Sequence, residues 1–144
     1  MARWDPWQQL DEAPVDLHLR ALTDERGRWM RGHERDQIVL DPGLDRRTRR
    51  EVLAHELVHA ERRIGWPEAS AATMQLEEER VWRIALRRLA PPGEVAAFVR
   101  ARATVGPVTI HDVAEEFDLS TAGAKRALVL LAATETNPLG EDDP

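Results

Sequence analysis

His55-Glu56-Leu57-Val58-His59 places two imidazoles four residues apart, with a carboxylate directly after the first. On an α-helix, positions i and i+4 point the same way one turn apart. Both rings can then reach one cation at about 2.0–2.1 Å, a normal Zn–N distance. Glu56 falls beside such a cation without having to bind it. There it can accept a proton from a water polarised by the cation and pass it to a leaving amine, the chemistry of peptide-bond hydrolysis. Zinc suits neutral pH because coordination brings the pKa of water down to about 7. The chain has no cysteine, which excludes thiolate zinc sites, Fe–S clusters and disulfides and fits a reducing cytoplasm. Any metal must be held by histidines and carboxylates.

The residues around the pattern say that its helix is buried. Val52, Leu53, Ala54, Leu57, Val58 and Ala60 make the segment apolar round most of its girth. Two imidazoles and a carboxylate inside it would each cost several kcal/mol, roughly, unless something compensates them. A metal does, and a catalytic site needs a third protein ligand and an open position. Glu77-Glu78-Glu79 lies 18 to 20 residues beyond His59, within the next helix. Glu78 shares a helical stripe with Val81 and Ala85, and Glu79 shares one with Trp82 and Leu86. The stripe of Glu77 runs through Arg80 and Ile84, which makes it the weakest of the three. By face alone, Glu78 and Glu79 both stand.

The elements that must position these groups can be read outward from the motif. Asp45 is a fitting N-cap for a helix running from Arg46 to about Ile64, with Gly65 as its stop and Pro67 beyond. A second helix begins near residues 68–70 and runs through Leu89 to Pro91-Pro92. Upstream, Val15 to Leu19 alternates apolar and polar residues in the period of a strand. Arg28 to Arg31 and Gln37 to Leu40 suggest two more. Trp4 and Trp7 belong to an arm or short helix whose indoles pack onto something. Residues 94–102 predict a third helix. Thr109 with Asp112 offers a capping box for a fourth, and a turn at Asp118-Leu119-Ser120 leads into a last helix from Thr121 to about Ala133. The expected architecture is α+β. A small, about three-stranded sheet packs on the motif helix and the second ligand helix, and a small helix-turn-helix-like subdomain follows. The expected divisions are a metallopeptidase core over 1–92, the helical appendage over 93–133, and a mobile acidic tail over 134–144.

Val52 to His59, then Glu78, Val81 and Ala85, then Arg87-Arg88-Leu89-Ala90-Pro91 resemble the ImmA/IrrE family of metallopeptidases. The nearest likeness is to small members from phages and prophages of actinobacteria. Ile38 to Pro42 and Leu44 to Arg47 are similar to that group as well. The resemblance covers about residues 4 to 135 and is most specific between 37 and 91. It implies a gluzincin-like zinc endopeptidase with His55, His59 and Glu78 as ligands and Glu56 as general base. The family pattern puts the ligand glutamate three residues before a small or branched residue, which favours Glu78 over Glu79. The chain departs from that pattern at Trp82, where members often carry a polar residue. The resemblance further implies a cytoplasmic bacterial protein that cleaves a repressor or other transcriptional regulator and so relieves immunity repression. It also implies a substrate held as an added strand on the sheet edge beside the motif helix. Arg28, Trp29, Met30 and Arg31 are the segment for that edge; the ordinary alternative is a core strand burying Trp29 and Met30.

Charge and composition narrow the remaining classes. At 144 residues, 42% hydrophobic and 32% charged, the chain can build a modest core and no more. It has no apolar run of spanning length, and its first ten residues lack the basic start and apolar stretch of a signal peptide. Net charge is −2 over residues 1–60, +2 over 61–105 and −6 over 106–144. The helix-turn-helix-like segment is therefore the most acidic part, with only Lys125 and Arg126 to meet phosphate, which argues against nucleic acid. An acidic module suits a protein partner with a basic surface. A second class is a non-proteolytic antirepressor, or a helix-turn-helix regulator, that binds a repressor or DNA stoichiometrically around a structural zinc. The intact Glu56 argues against it, since a structural site needs no general base. The chain has no tyrosine, so an oxyanion donor cannot be a phenol. His33, on a polar turn, is the available candidate, though a lone surface histidine is more often a bystander. His18 and His111 carry no assignment.

Overall fold

Asp36–Leu40 forms the middle strand of a three-stranded mixed sheet, and the rest of the first half of the chain is arranged around it. The computed structural model describes residues 3–65 and 70–136. Among them the elements are α1 (Pro6–Glu12), β1 (Val15–Leu19), β2 (Gly27–Met30), β3 (Asp36–Leu40), α2 (Arg46–Arg62), α3 (Ala71–Leu89), α4 (Pro92–Ala103), α5 (Ile110–Phe117) and α6 (Thr121–Thr136). This is a small α+β fold. The chain divides into two units, Met1–Leu89 and Ala90–Pro144. Among the described residues no helix is long and apolar enough to cross a membrane.

In the first unit the strand order is β1-β3-β2, with β1 parallel and β2 antiparallel to β3. The alternation in β1 and β3 sends Val15, Ile38 and Leu40 to one face, where they pack against Val52, Leu53 and Leu57 of α2. Leu10 and Ala13, from the end of α1, close the same core. Trp4 is half-buried under the Arg88 guanidinium, 5.6 Å from its ring centre, whereas Trp7 is exposed. α2 starts as its sequence demands: Asp45 is extended and accepts the Thr48 N–H at 2.9 Å.

Its end differs from the expectation. The stop is Arg63, in the left-handed region at φ 57°, and not Gly65. A side chain in that region ordinarily costs about 1–2 kcal/mol, and here long-range bonds hold it. The Arg63 guanidinium donates to Asp36 at 2.6 Å, and its carbonyl accepts from Arg31. Asp36 also accepts from the Trp29 indole at 3.0 Å and from the Gly32 N–H at 3.0 Å. One buried carboxylate thus ties β2, the β2–β3 turn and the end of α2 together. Arg31 lies just past β2 rather than within it. Of the expected start of the second helix, residues 68 and 69 and also Pro67 lie outside the described residues.

The second unit is a three-helix cluster. Pro91-Pro92 opens α4, and Thr109 and Asp112 form the reciprocal capping box at the start of α5. Asp118 occupies the left-handed turn at φ 54°, doing there what a glycine commonly does. The Leu119 N–H reaches back to the Ala114 carbonyl at 2.9 Å, which closes α5. Val95, Val113, Phe117, Leu119 and Ala124 are buried, and Phe98 meets Phe117 edge to face at 5.9 Å. α6 runs to Thr136, past its expected end near residue 133; the tail beyond lies outside the described residues.

Asp36 makes a testable acid limb. Burial alone would raise its pKa, but hydrogen bonds from Gly32, Trp29 and Arg63 outweigh burial and hold it below the ordinary 3.8. A depressed carboxyl stabilises the fold above its unfolded pKa and loses that contribution as pH falls through the folded value. Asp36→Asn is expected to cost about 1–3 kcal/mol at pH 7, because its amide turns a donor toward Trp29 or Arg63. It should also flatten the loss of stability below about pH 4. Urea denaturation from pH 7 to pH 2 checks both.

Candidate metal centre

Residues 51 to 59 of α2 are all buried, and they include His55, Glu56 and His59. The helix lies between the sheet on one side and α3 on another, so its polar groups must be satisfied from within. His55 and His59, one turn apart, turn their Nε2 atoms toward each other at 3.1 Å. Glu78 of α3 reaches the same place. Its Oε1 lies 2.7 Å from His59 Nε2 and its Oε2 lies 3.0 Å from His55 Nε2. By helical face Glu78 and Glu79 are equal. The structure brings Glu78 to the histidines and leaves Glu79 exposed.

His55, His59 and Glu78 form a group that can hold a metal ion. The donor set fits one: two imidazole nitrogens and a carboxylate, each able to offer a lone pair, converge on a single spot. The nitrogen of His55 that faces away, Nδ1, is buried and makes no hydrogen bond. A tryptophan face sets this ring instead. Trp82, one turn beyond Glu78 on α3, packs against His55 with ring centres 4.2 Å apart and planes tilted by 37°. Trp29 of β2 lies parallel to His59 at 6.4 Å and is flanked by the guanidinium groups of Arg31 and Arg63, each 5.9 Å from its centre. Both indoles are contacts of the centre that the spacing of ligands did not announce.

The charges respond to this crowding. Burial pushes Glu56 up to about 7, with the Glu78 charge adding to the shift, while His59 and a backbone N–H from Trp29 act against it. Burial lowers His55, only partly offset by its bond to Glu78. For His59 burial acts downward too, but the Glu78 hydrogen bond and the charges of Glu56, Glu78 and Glu77 overcome it and the net shift is upward. Burial would raise Glu78; its bonds to both rings prevail and hold it well below the usual carboxylate range.

An open cleft of about 670 Å³ runs past this group, lined among others by Trp29, Glu56, His59, Ile64, Met74 and Glu78. One wall is β2, which pairs with β3 on one side only and so forms an edge of the sheet. Gly27 lets that edge come close to α2: a Cβ there would meet Val52 Cγ1 at 2.6 Å and Glu56 Cγ at 3.3 Å. Arg28, Trp29, Met30 and Arg31 all border the cleft, and Trp29 and Met30 are half-buried rather than core. His33 is exposed in the β2–β3 turn and is not among the residues lining the cleft; His18 and His111 are exposed elsewhere. Glu77, the weakest of the triplet by its stripe, is buried and ion-paired with Arg62. That partner stands three residues after His59, which was the signal available in the sequence.

The assignment of the third ligand is open to direct measurement. Glu78→Gln is expected to weaken zinc binding by more than about 100-fold, beyond the usual cost of losing an outer partner. Glu79→Gln should leave it within about twofold of the parent. Competition titration with a chromophoric chelator reads both.

No protein-family model matches the chain, and no curated protein sequence matches it.

Proposed function

We propose that the protein is a zinc-dependent endopeptidase whose substrate is a repressor or other transcriptional regulator. The observation that carries the reading is the placement of Glu56. It is buried, borders one cleft with His59 and Glu78, and sits next to His55 in the chain. A carboxylate so placed is within reach of a water that a cation at the histidines would polarise. A site that only braced the fold would gain nothing from burying a third ionisable group there.

In this reading His55, His59 and Glu78 hold the zinc. When bound, zinc supplies a Lewis acid for the peptide carbonyl and lowers the pKa of water. Glu56 takes the proton from the attacking water and hands it to the leaving amine. The outer edge of β2, apart from the Trp29 N–H that bonds Glu56, offers backbone groups to an extended peptide, which aligns the scissile bond along the cleft. Gly27 keeps that edge within reach of Glu56. The choice of a regulator as substrate draws on the resemblance to ImmA/IrrE metallopeptidases and on the −6 charge of residues 106–144, which complements a basic DNA-binding surface. Lys125 and Arg126 are exposed on α6, but two cations are few for a phosphate backbone.

The test is cleavage of a co-expressed repressor, and of a peptide library, by substoichiometric zinc-loaded protein, with fragments identified by mass spectrometry. Glu56→Gln should lower the rate by about 10²–10⁴-fold with zinc affinity nearly unchanged. A repressor that is captured intact at one-to-one stoichiometry would favour the antirepressor instead.

A further inference from the structure

Glu77 precedes the carboxylate that faces the histidines, and it is itself 5% exposed. It accepts from Arg62 Nε and, at 3.2 Å, from Arg62 Nη2. Arg62 is the last residue of α2. It follows His59 by three positions and so lies about 4.5 Å further along the helix. Neighbouring residues on a helix point about 100° apart. Glu77 and Glu78 therefore grip α2 in two separate places, one at the guanidinium and one at the paired rings.

The buried face of Val81, Ala85, Leu86 and Leu89, Trp82 against His55 and the Arg88–Glu61 pair hold α3 on α2. Two directional grips from adjacent residues then fix its rotation and its height more finely where Glu78 stands. Glu78 has need of this, because its side chain is 46% exposed and has little packing to hold its rotamer. A two-pronged arginine–carboxylate contact is directional in a way that an apolar contact is not. As a source of stability a buried ion pair is a poor device, since apolar replacements often do as well.

We propose that Arg62 and Glu77 are positioning residues of the metal centre, which set the rotation of α3 so that Glu78 meets His55 and His59. The proposal rests on the reading of those three residues as metal ligands. Zinc affinity of the full chain is measured by chelator competition for the parent, Glu77→Gln, Arg62→Gln and the double variant, each confirmed folded by circular dichroism. Each single change is expected to weaken binding by about 10–100-fold. The double variant should lose no more than the worse single, because both changes remove the same grip. The visible absorption of the cobalt(II) form, which reports ligand geometry, should shift in both singles. Arg62→Lys keeps the charge but not the fork. It is expected to fall nearer Arg62→Gln than the parent, and it decides the matter if a Gln variant fails to fold. Affinities within twofold of the parent, or losses that add in the double variant, overturn the positioning role and leave the metal centre standing. A parent chain that takes up no zinc removes the metal centre, and the role of the pair with it.

Discussion

Burying three ionisable side chains on one short stretch of helix is the constraint from which the rest of the first unit follows. His55, Glu56 and His59 are each only 5–6% exposed, and water cannot stabilise them there. The fold answers with a carboxylate from α3, a backbone N–H from β2 and two indole faces. They come from two elements, α3 and β2, so sheet, motif helix and second helix must all be correctly placed before the group is satisfied. A cation among the three ligands would complete that compensation, and Glu56 would remain the group with spare capacity.

The supports form two shells on opposite flanks of α2. On the sheet side, Asp36 gathers Trp29, Gly32 and Arg63 and so holds the strand edge beside the cleft. On the other side, α3 brings Glu78, Trp82 and Glu77 to successive points of the same helix. The cleft, the strand edge and the buried Glu56 beside the histidines are the features on which the proposed peptide hydrolysis rests.

Much of this was legible in the sequence. Alternation located β1 at its observed bounds, Asp45 marked the start of α2, and Thr109 with Asp112 marked the start of α5. The His55–His59 spacing and the apolar residues between them announced a buried centre. What stayed hidden depends on contacts distant in the chain. Arg63 can end α2 in a left-handed conformation because Asp36, 27 residues away, holds its guanidinium; local rules favour glycine and pointed to Gly65. Glu78 and Glu79 both carry apolar stripes because α3 buries a broad face, so periodicity could not choose between them. Glu77 reads as solvent-facing until Arg62 is seen beside it. Strand order is likewise non-local: β3 lies between β1 and β2, which no single segment encodes.

Tryptophan supplies the remaining consequence. The chain has five tryptophans and no tyrosine, so its near-ultraviolet emission is dominated by indole. Trp82 touches one histidine of the centre and Trp29 lies parallel to the other. A charge arriving between those imidazoles changes the electric field at both indoles. A cation held by the group would therefore have an intrinsic optical readout, without any added label.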